Sequence, residues 1–308
     1  MKKNGLKKLA AAAVLAALAL SMTACGGKEE ETTAAAAETE AEAEASTPAP
    51  TEAETEAEGG SRLDAILDAG VITMATSPDF APYEFEDISS GTTTYAGADV
   101  ELGKYIAEKL GVELQIEAMD FNACQGAVSM GAVDMSISGF AYTEERAENC
   151  GISDGYIVSD VVEQGIIVLK DTAAELNSKE AFSGKVVAVQ NASLQQQLRA
   201  EQLPDSTEEV VTNLNDAIMM LATGKVDGVA SDLTVAQQYC DNYPELEISE
   251  FKFDYDTEGQ RVLVPKGEDE LLAAINEIIA EVNESGIYKE WLAESTELAT
   301  SLGLEVNG

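Results

Sequence analysis

The chain has 308 residues, 45% of them apolar, enough for packed cores of ordinary domain size. Its formal net charge is −39 and it contains no His. That balance argues against a nucleic-acid-binding protein, whose footprint is basic, and rules out His-based general base catalysis and His-rich metal sites.

The first 24 residues read as a signal peptide. Lys2, Lys3, Lys7 and Lys8 make a basic start, and the apolar run from Leu9 to Leu20 is too short to span a bilayer. Met22-Thr23-Ala24-Cys25-Gly26 then has the form of a lipobox, with Met22 where Leu is commoner. Cys25 is the expected lipidation site and the first residue of the mature chain. Each buried lipid CH₂ contributes roughly 0.8 kcal/mol, so a diacylated Cys25 would stay on the membrane. Residues 25–60 continue as Glu, Ala and Thr with Pro48 and Pro50. Charge repulsion and the lack of an apolar face predict a disordered acidic tether.

From residue 61 the pattern alternates between strands and helices, which predicts an α/β fold with largely parallel sheets. Val71 to Thr76 reads as a strand. Ala98 to Leu110 reads as a helix carrying Val100, Leu102, Ile106 and Leu110. A strand over Val112 to Ala118, a helix from Asn122 to Met130 and a strand over Asp134 to Ser138 follow. Gly155 to Gln164 is an extended, helix-poor crossing. A second unit begins at Gly165, with strands Ile166–Leu169, Val186–Gln190 and Gly228–Ala230. Its helices are Ser193–Glu201, Leu214–Ala222 and Leu233–Cys240. Phe251 to Gln260 is another polar, extended crossing, after which come strand Arg261–Val264 and helices Glu268–Asn283 and Ile287–Ala293.

Cys124, Cys150 and Cys240 fit no zinc or redox spacing. Cys124 and Cys150 are a conceivable bridge that spacing cannot decide; the reading taken is buried thiols. Arg is scarce, confined to positions 62, 146, 199 and 261. Arg146 is singular among them, because it sits in the first turn of a Thr-started helix just after the small residues Ser138-Gly139-Phe140-Ala141. Backbone N–H groups at such a helix start, with a guanidinium fork beside them, suit a carboxylate. The alternative is a solvated helix Arg paired with a nearby Glu.

Ser138 to Arg146 resembles the strand-to-helix turn of the extracellular polar amino-acid-binding proteins of ABC importers. Other segments resemble that family in the same order: Ala75 to Phe85, Tyr95 to Leu102, Met119 to Phe121, Ser153 to Tyr156, Gly184 to Gln190 and Gly224 to Val229. The resemblance covers roughly residues 61 to 296. It implies a two-lobed, type II-like periplasmic-binding-protein fold, with two hinge crossovers near 157–163 and 255–260 and a cleft between the lobes. Lobe 1 would be 61–156 with 261–308, and lobe 2 would lie within 157–260.

Carried residue by residue, the resemblance places an α-carboxylate on Arg146, the N–H of Ala141, and the N–H and hydroxyl of Ser193. The α-ammonium falls to Asp232 and the Gly139 carbonyl, next to Ser138. Phe80 and Phe121 would wall the ligand side chain, and Gln190 would touch it. Ser77 stands where many relatives carry an Asp for polar or cationic side chains, and Ala141 where they carry Ser or Thr. The absence of a second cation disfavours an acidic ligand, so a neutral polar or cationic amino acid is expected. Asp79 and Glu258 are further candidates for holding a cation, without an assigned place. The implied partners are a free amino acid and the permease subunits of an ABC importer. The chain is expected to be a monomer, without cofactor or metal, on the extracellular face of a Gram-positive type of cell. Rival expectations are a dehydratase built on the same fold and a ligand sensor.

Overall fold

The computed structural model describes residues 60–157, 162–255 and 259–303. In chain order the first elements are α1 (Arg62–Ala69), β1 (Val71–Thr76), β2 (Asp79–Phe80), β3 (Glu84–Asp87), β4 (Thr94–Ala96), α2 (Ala98–Leu110), β5 (Glu113–Ala118), α3 (Phe121–Ser129), β6 (Met135–Ala141), α4 (Glu144–Asn149) and β7 (Cys150–Ile152). The second body contains β8 (Gln164–Leu169), β9 (Val186–Gln190), α5 (Leu194–Gln202), β10 (Thr207–Val211), α6 (Leu214–Ala222), β11 (Gly228–Asp232), α7 (Leu233–Asn242) and β12 (Leu246–Lys252). The chain closes with β13 (Gln260–Pro265), α8 (Asp269–Ser285) and α9 (Ile287–Leu302).

Two five-stranded sheets organise these elements, in the orders β5-β1-β6-β13-β7 and β10-β9-β11-β8-β12. Strand β13 returns to the first sheet and pairs with β6 and β7, so chain from both ends of the sequence builds that body. The expectation of largely parallel sheets is corrected. In the first sheet β1 runs parallel to β5 and β6, but β13 is antiparallel to both its neighbours. In the second, β9 is parallel to β10 and β11, while β8 is antiparallel to β11 and β12. The antiparallel strands are those that follow the two crossings. Chain arriving from the other body enters its sheet in the reverse sense.

Both sheets are covered by helices, and their central strands are buried. β8 carries Ile166, Ile167 and Val168, and β9 carries Val187, Ala188 and Val189, all without solvent exposure. Parallel sheets covered on both faces read as continuous apolar runs for this reason. Residues 158–161 and 256–258 of the two crossings lie outside the described residues, as do the signal, lipidation and tether segments. The second crossing is shorter than expected, since β12 extends to Lys252 and Phe253 is buried. The Cys124, Cys150 and Cys240 thiols are free, the first two buried.

Candidate functional site

A cavity lies where the C-terminal ends of β6, β9 and β11 meet the short sheet formed by β2, β3 and β4. Its lining combines Asp79, Phe80, Glu84, Phe121, Gly139, Ala141 and Arg146 from the first body with Gln190, Ser193 and Asp232 from the second. Its free volume is about 30 Å³, room for little more than water, so a larger ligand requires the two bodies to part.

Among the described residues, Arg146 is the only cation in the lining. Thr143 caps α4 by accepting from the Arg146 N–H at 3.2 Å, which fixes where the side chain departs. Arg146 is 5% exposed, and its guanidinium lies over the rings of Phe121 and Phe140, 5.4 and 5.3 Å from their centroids. It donates from Nε to Gln125 Oε1 (2.9 Å), from Nη1 to the Ala141 carbonyl (2.6 Å) and from Nη2 to the Ala192 carbonyl (2.9 Å). These are neutral acceptors. Burial depresses its pKa to about 10, still fully protonated at neutral pH. The reading of a solvated Arg paired with a helix Glu is therefore corrected.

Three buried carboxyls, Asp79, Glu84 and Asp232, share the lining with this cation, and a fourth, Asp99, is buried behind the lining. Asp232 ends β11 and caps α7, accepting from the Val235 N–H at 2.9 Å; burial raises its pKa to about 7. Asp79 is raised to about 6 by burial, although Ser77, Gln190 and the Leu214 N–H all donate to it. Asp99 is likewise raised to about 6 by burial, and it is fully engaged. It accepts from the Gly139 N–H (2.8 Å), Tyr156 (2.9 Å) and Tyr288 (2.5 Å). Glu84 differs. Ser138 donates to its Oε1 at 2.6 Å, its buried Oε2 receives no donor, and burial followed by the neighbouring Asp99 charge pushes this carboxyl well above the usual range, so that its retained proton is shared with Asp99 in a hydrogen bond between the two carboxyls.

The structure brings Phe80, Phe121, Gly139, Ala141, Arg146, Gln190, Ser193 and Asp232 together around the cavity, as the sequence reading grouped them. Ser77 and Ser138 sit one step behind. The Ser77 hydroxyl is spent on Asp79, its N–H donates to Ser138 Oγ, and Ser138 holds Glu84. Residues Ser138 to Ala141 belong to β6 rather than to a turn after it, and Gly139 takes φ +58 there, with Phe80 packed against its open face. Ser193 is the N-cap of α5, and its N–H already donates to the Gln190 carbonyl at 3.2 Å; the hydroxyl proton is the donor it retains. Glu84 was missed. Its signal was its position in the first ligand-loop segment, but nothing in the sequence says that one of its oxygens goes without a donor. Glu258 lies outside the described residues.

Two α/β bodies sharing a closed cleft, lined by a buried Arg and buried carboxyls, define a solute receptor that binds between its lobes. Residues 72–294 match the family described as bacterial extracellular solute-binding proteins, family 3, and the chain belongs to it. Among curated proteins, it is 27% identical over 230 residues to the arginine-binding extracellular protein ArtP of Bacillus subtilis, covering 71% of this chain and 85% of that one. A probable histidine-binding protein of Campylobacter jejuni is 26% identical, covering 70% and 81%. Among solved structures, the amino acid ABC transporter substrate-binding protein AbpA of Streptococcus pneumoniae, bound to L-arginine, aligns with TM-score 0.73. Its identity is 30%, with 77% of this chain and 98% of that one covered. The ancestral amino acid-binding protein AncCDT-1, a precursor of cyclohexadienyl dehydratase, aligns with TM-score 0.68 at 27% identity over 76% and 99%.

Proposed function

We propose that this chain is the receptor of an ABC importer for a free cationic amino acid of the arginine type, and that it captures its ligand by hinge closure. The observation that carries this reading is the charge layout of one cavity: among the described lining residues one buried cation, Arg146, and three buried carboxyls, Asp79, Glu84 and Asp232, with no counter-cation against any of them. An amino acid with a basic side chain supplies one anion and two cations. Arg146 and the Ser193 hydroxyl take the carboxylate, Asp232 and the Gly139 carbonyl take the α-ammonium, and Glu84, on giving up its proton, takes the side-chain cation. Phe80 and Phe121 flank the ligand, where an aromatic face favours a guanidinium. A neutral amino acid leaves Glu84 unpaired, and an acidic one adds a carboxylate against it. Relatives that bind arginine support the choice. The closed lobes present the docking surface for the permease, with Cys25 lipid-anchored and residues 25–60 as tether. We further infer a monomer on the extracellular face of a Gram-positive type of membrane.

Isothermal titration with arginine, lysine, ornithine, histidine, glutamine, glutamate and prephenate tests the reading. Arginine is expected to bind at least tenfold tighter than glutamine, and glutamate not at all. Arg146→Ala should cost about 2–5 kcal/mol of binding, because the ligand carboxylate is left buried without its counter-charge. Tightest binding to glutamine would refute the cationic assignment. Turnover of prephenate would shift the reading to an enzyme.

A further inference from the structure

Asp79 lines the cavity, and two of the three donors to its carboxyl come from the other body. It stands in β2, on the first body, and is 5% exposed. Its Oδ2 accepts from Gln190 Nε2 at 2.9 Å, at the end of β9, and from the Leu214 N–H at 2.7 Å, at the start of α6. Its Oδ1 accepts from Ser77 at 2.7 Å, and its own backbone carbonyl accepts from Tyr239 of α7 at 3.3 Å. One residue of the first body thus engages three elements of the second.

The contact at α6 is the informative one. The N-cap of that helix, Asn213, accepts from the Asn215 N–H and leaves the Leu214 N–H without a partner inside its own body. First-turn N–H groups lack intrahelical acceptors and favour a negative charge. Asp79 supplies both across the cleft, and only while the cleft is shut. Glu84 in the same cavity has an oxygen that no donor reaches; Asp79 has donors on both oxygens.

We infer that Asp79 is an interlobe latch, a positioning residue that caps helix α6 of the opposite lobe and favours closure whatever ligand is bound. A ligand's apparent affinity scales with the population of the binding-competent state, so a latch raises affinity for all ligands by one common factor. Selectivity among amino acids stays with Glu84, which meets the side chain, while Arg146 and Asp232 hold the groups that all of them share. The inference about α6 stands without the arginine assignment, and the ligand arm below rests on it.

The test uses Asp79→Ala and the milder Asp79→Asn. Amide exchange at Leu214, followed by NMR on the ligand-free protein, reads the latch directly. The wild type should protect this amide, and Asp79→Ala should speed its exchange at least about tenfold, with Asp79→Asn between them. Titration with arginine and glutamine then reads the consequence. Asp79→Ala should weaken both by the same factor, about 10- to 100-fold, leaving their ratio within threefold of wild type. Unchanged Leu214 exchange in both variants overturns the latch. So does a collapse of the arginine-to-glutamine ratio, which would make Asp79 a ligand contact. If no amino acid binds the wild type, the ligand reading fails, while the Leu214 result still decides the latch.

Discussion

At the scale of single residues, the site is a balance of protonation as well as of shape. Asp232, near 7 when buried without a counter-ion, must be ionised to receive an ammonium, and Glu84, raised further by burial and by Asp99, must ionise to receive a guanidinium. Bound cations pull both values down, so binding releases protons and weakens on acidification. The dissociation constant for arginine should rise toward about tenfold per pH unit between pH 7 and 5 for each proton released, and calorimetry in buffers of different ionisation enthalpy should count them. Glu84→Gln should remove one of those protons and cut arginine binding while sparing glutamine; a pH-independent constant would contradict the assignment. Arg146 and Asp232 were legible from sequence because each sits at a strand end that is also a helix start. Glu84 and Asp79 were not, since 57 acidic residues give no means of telling a satisfied carboxyl from an unsatisfied one. That difference depends on which donors the fold brings within 3 Å.

At the scale of elements, the ligand loop is set by how closely α2 approaches it. Gly97 takes φ +129, and a Cβ there would lie 2.0 Å from the Tyr83 carbonyl. The same close approach lets the Ala98 and Asp99 N–H groups donate to the carbonyls of Pro82 and Tyr83, and so aligns Glu84 beside Asp99. Gly97→Ala should therefore cost more than about 1 kcal/mol of stability, a fall in Tm of at least roughly 2–4 °C by calorimetry, and should loosen ligand binding as well. Wild-type stability with intact binding would mean that the loop tolerates a shift of α2. Long periodic elements were readable: Ala98–Leu110, Val186–Gln190 and Leu214–Ala222 begin and end where the sequence pattern places them. Elements without that signal were not. β10 spells Thr-Glu-Glu-Val-Val at a sheet edge, with Thr207, Glu209 and Val210 exposed and only Val211 buried, and β2, β3 and β4 are too short for a period to show. α9 runs on to Leu302, well past Ala293, because Thr296 and Thr300 return their hydroxyls to the carbonyls of Leu292 and Thr296 and stay in the helix.

At the scale of the whole molecule, burying Asp79, Glu84, Asp99 and Asp232 in and behind one cavity is a cost of folding that the receptor carries until a cation arrives. The folded-state values of Asp79, Asp99 and Asp232, about 6 to 7, exceed the ordinary 3.8, and Glu84 is raised too. Groups shifted in this direction contribute stability that is complete below the unfolded value and is lost as pH rises through the folded one. The large net negative charge acts in the same sense through self-repulsion, but salt screens that part and spares the buried carboxyls. In high salt, the ligand-free protein should therefore melt at a higher temperature at pH 5 than at pH 8. Arginine reverses the trend, because a bound guanidinium and ammonium stabilise the ionised carboxyls. At about 100 times its dissociation constant a ligand contributes roughly 2.7 kcal/mol, some 5–11 °C for a body of this size. At one fixed concentration of arginine, that shift should be large at pH 8 and shrink toward pH 5 as the constant rises. Two melting curves at each pH decide the matter. A ligand-free Tm that is flat or rises with pH would show that the four carboxyls are solvated in the resting protein, with the cleft standing open before ligand arrives.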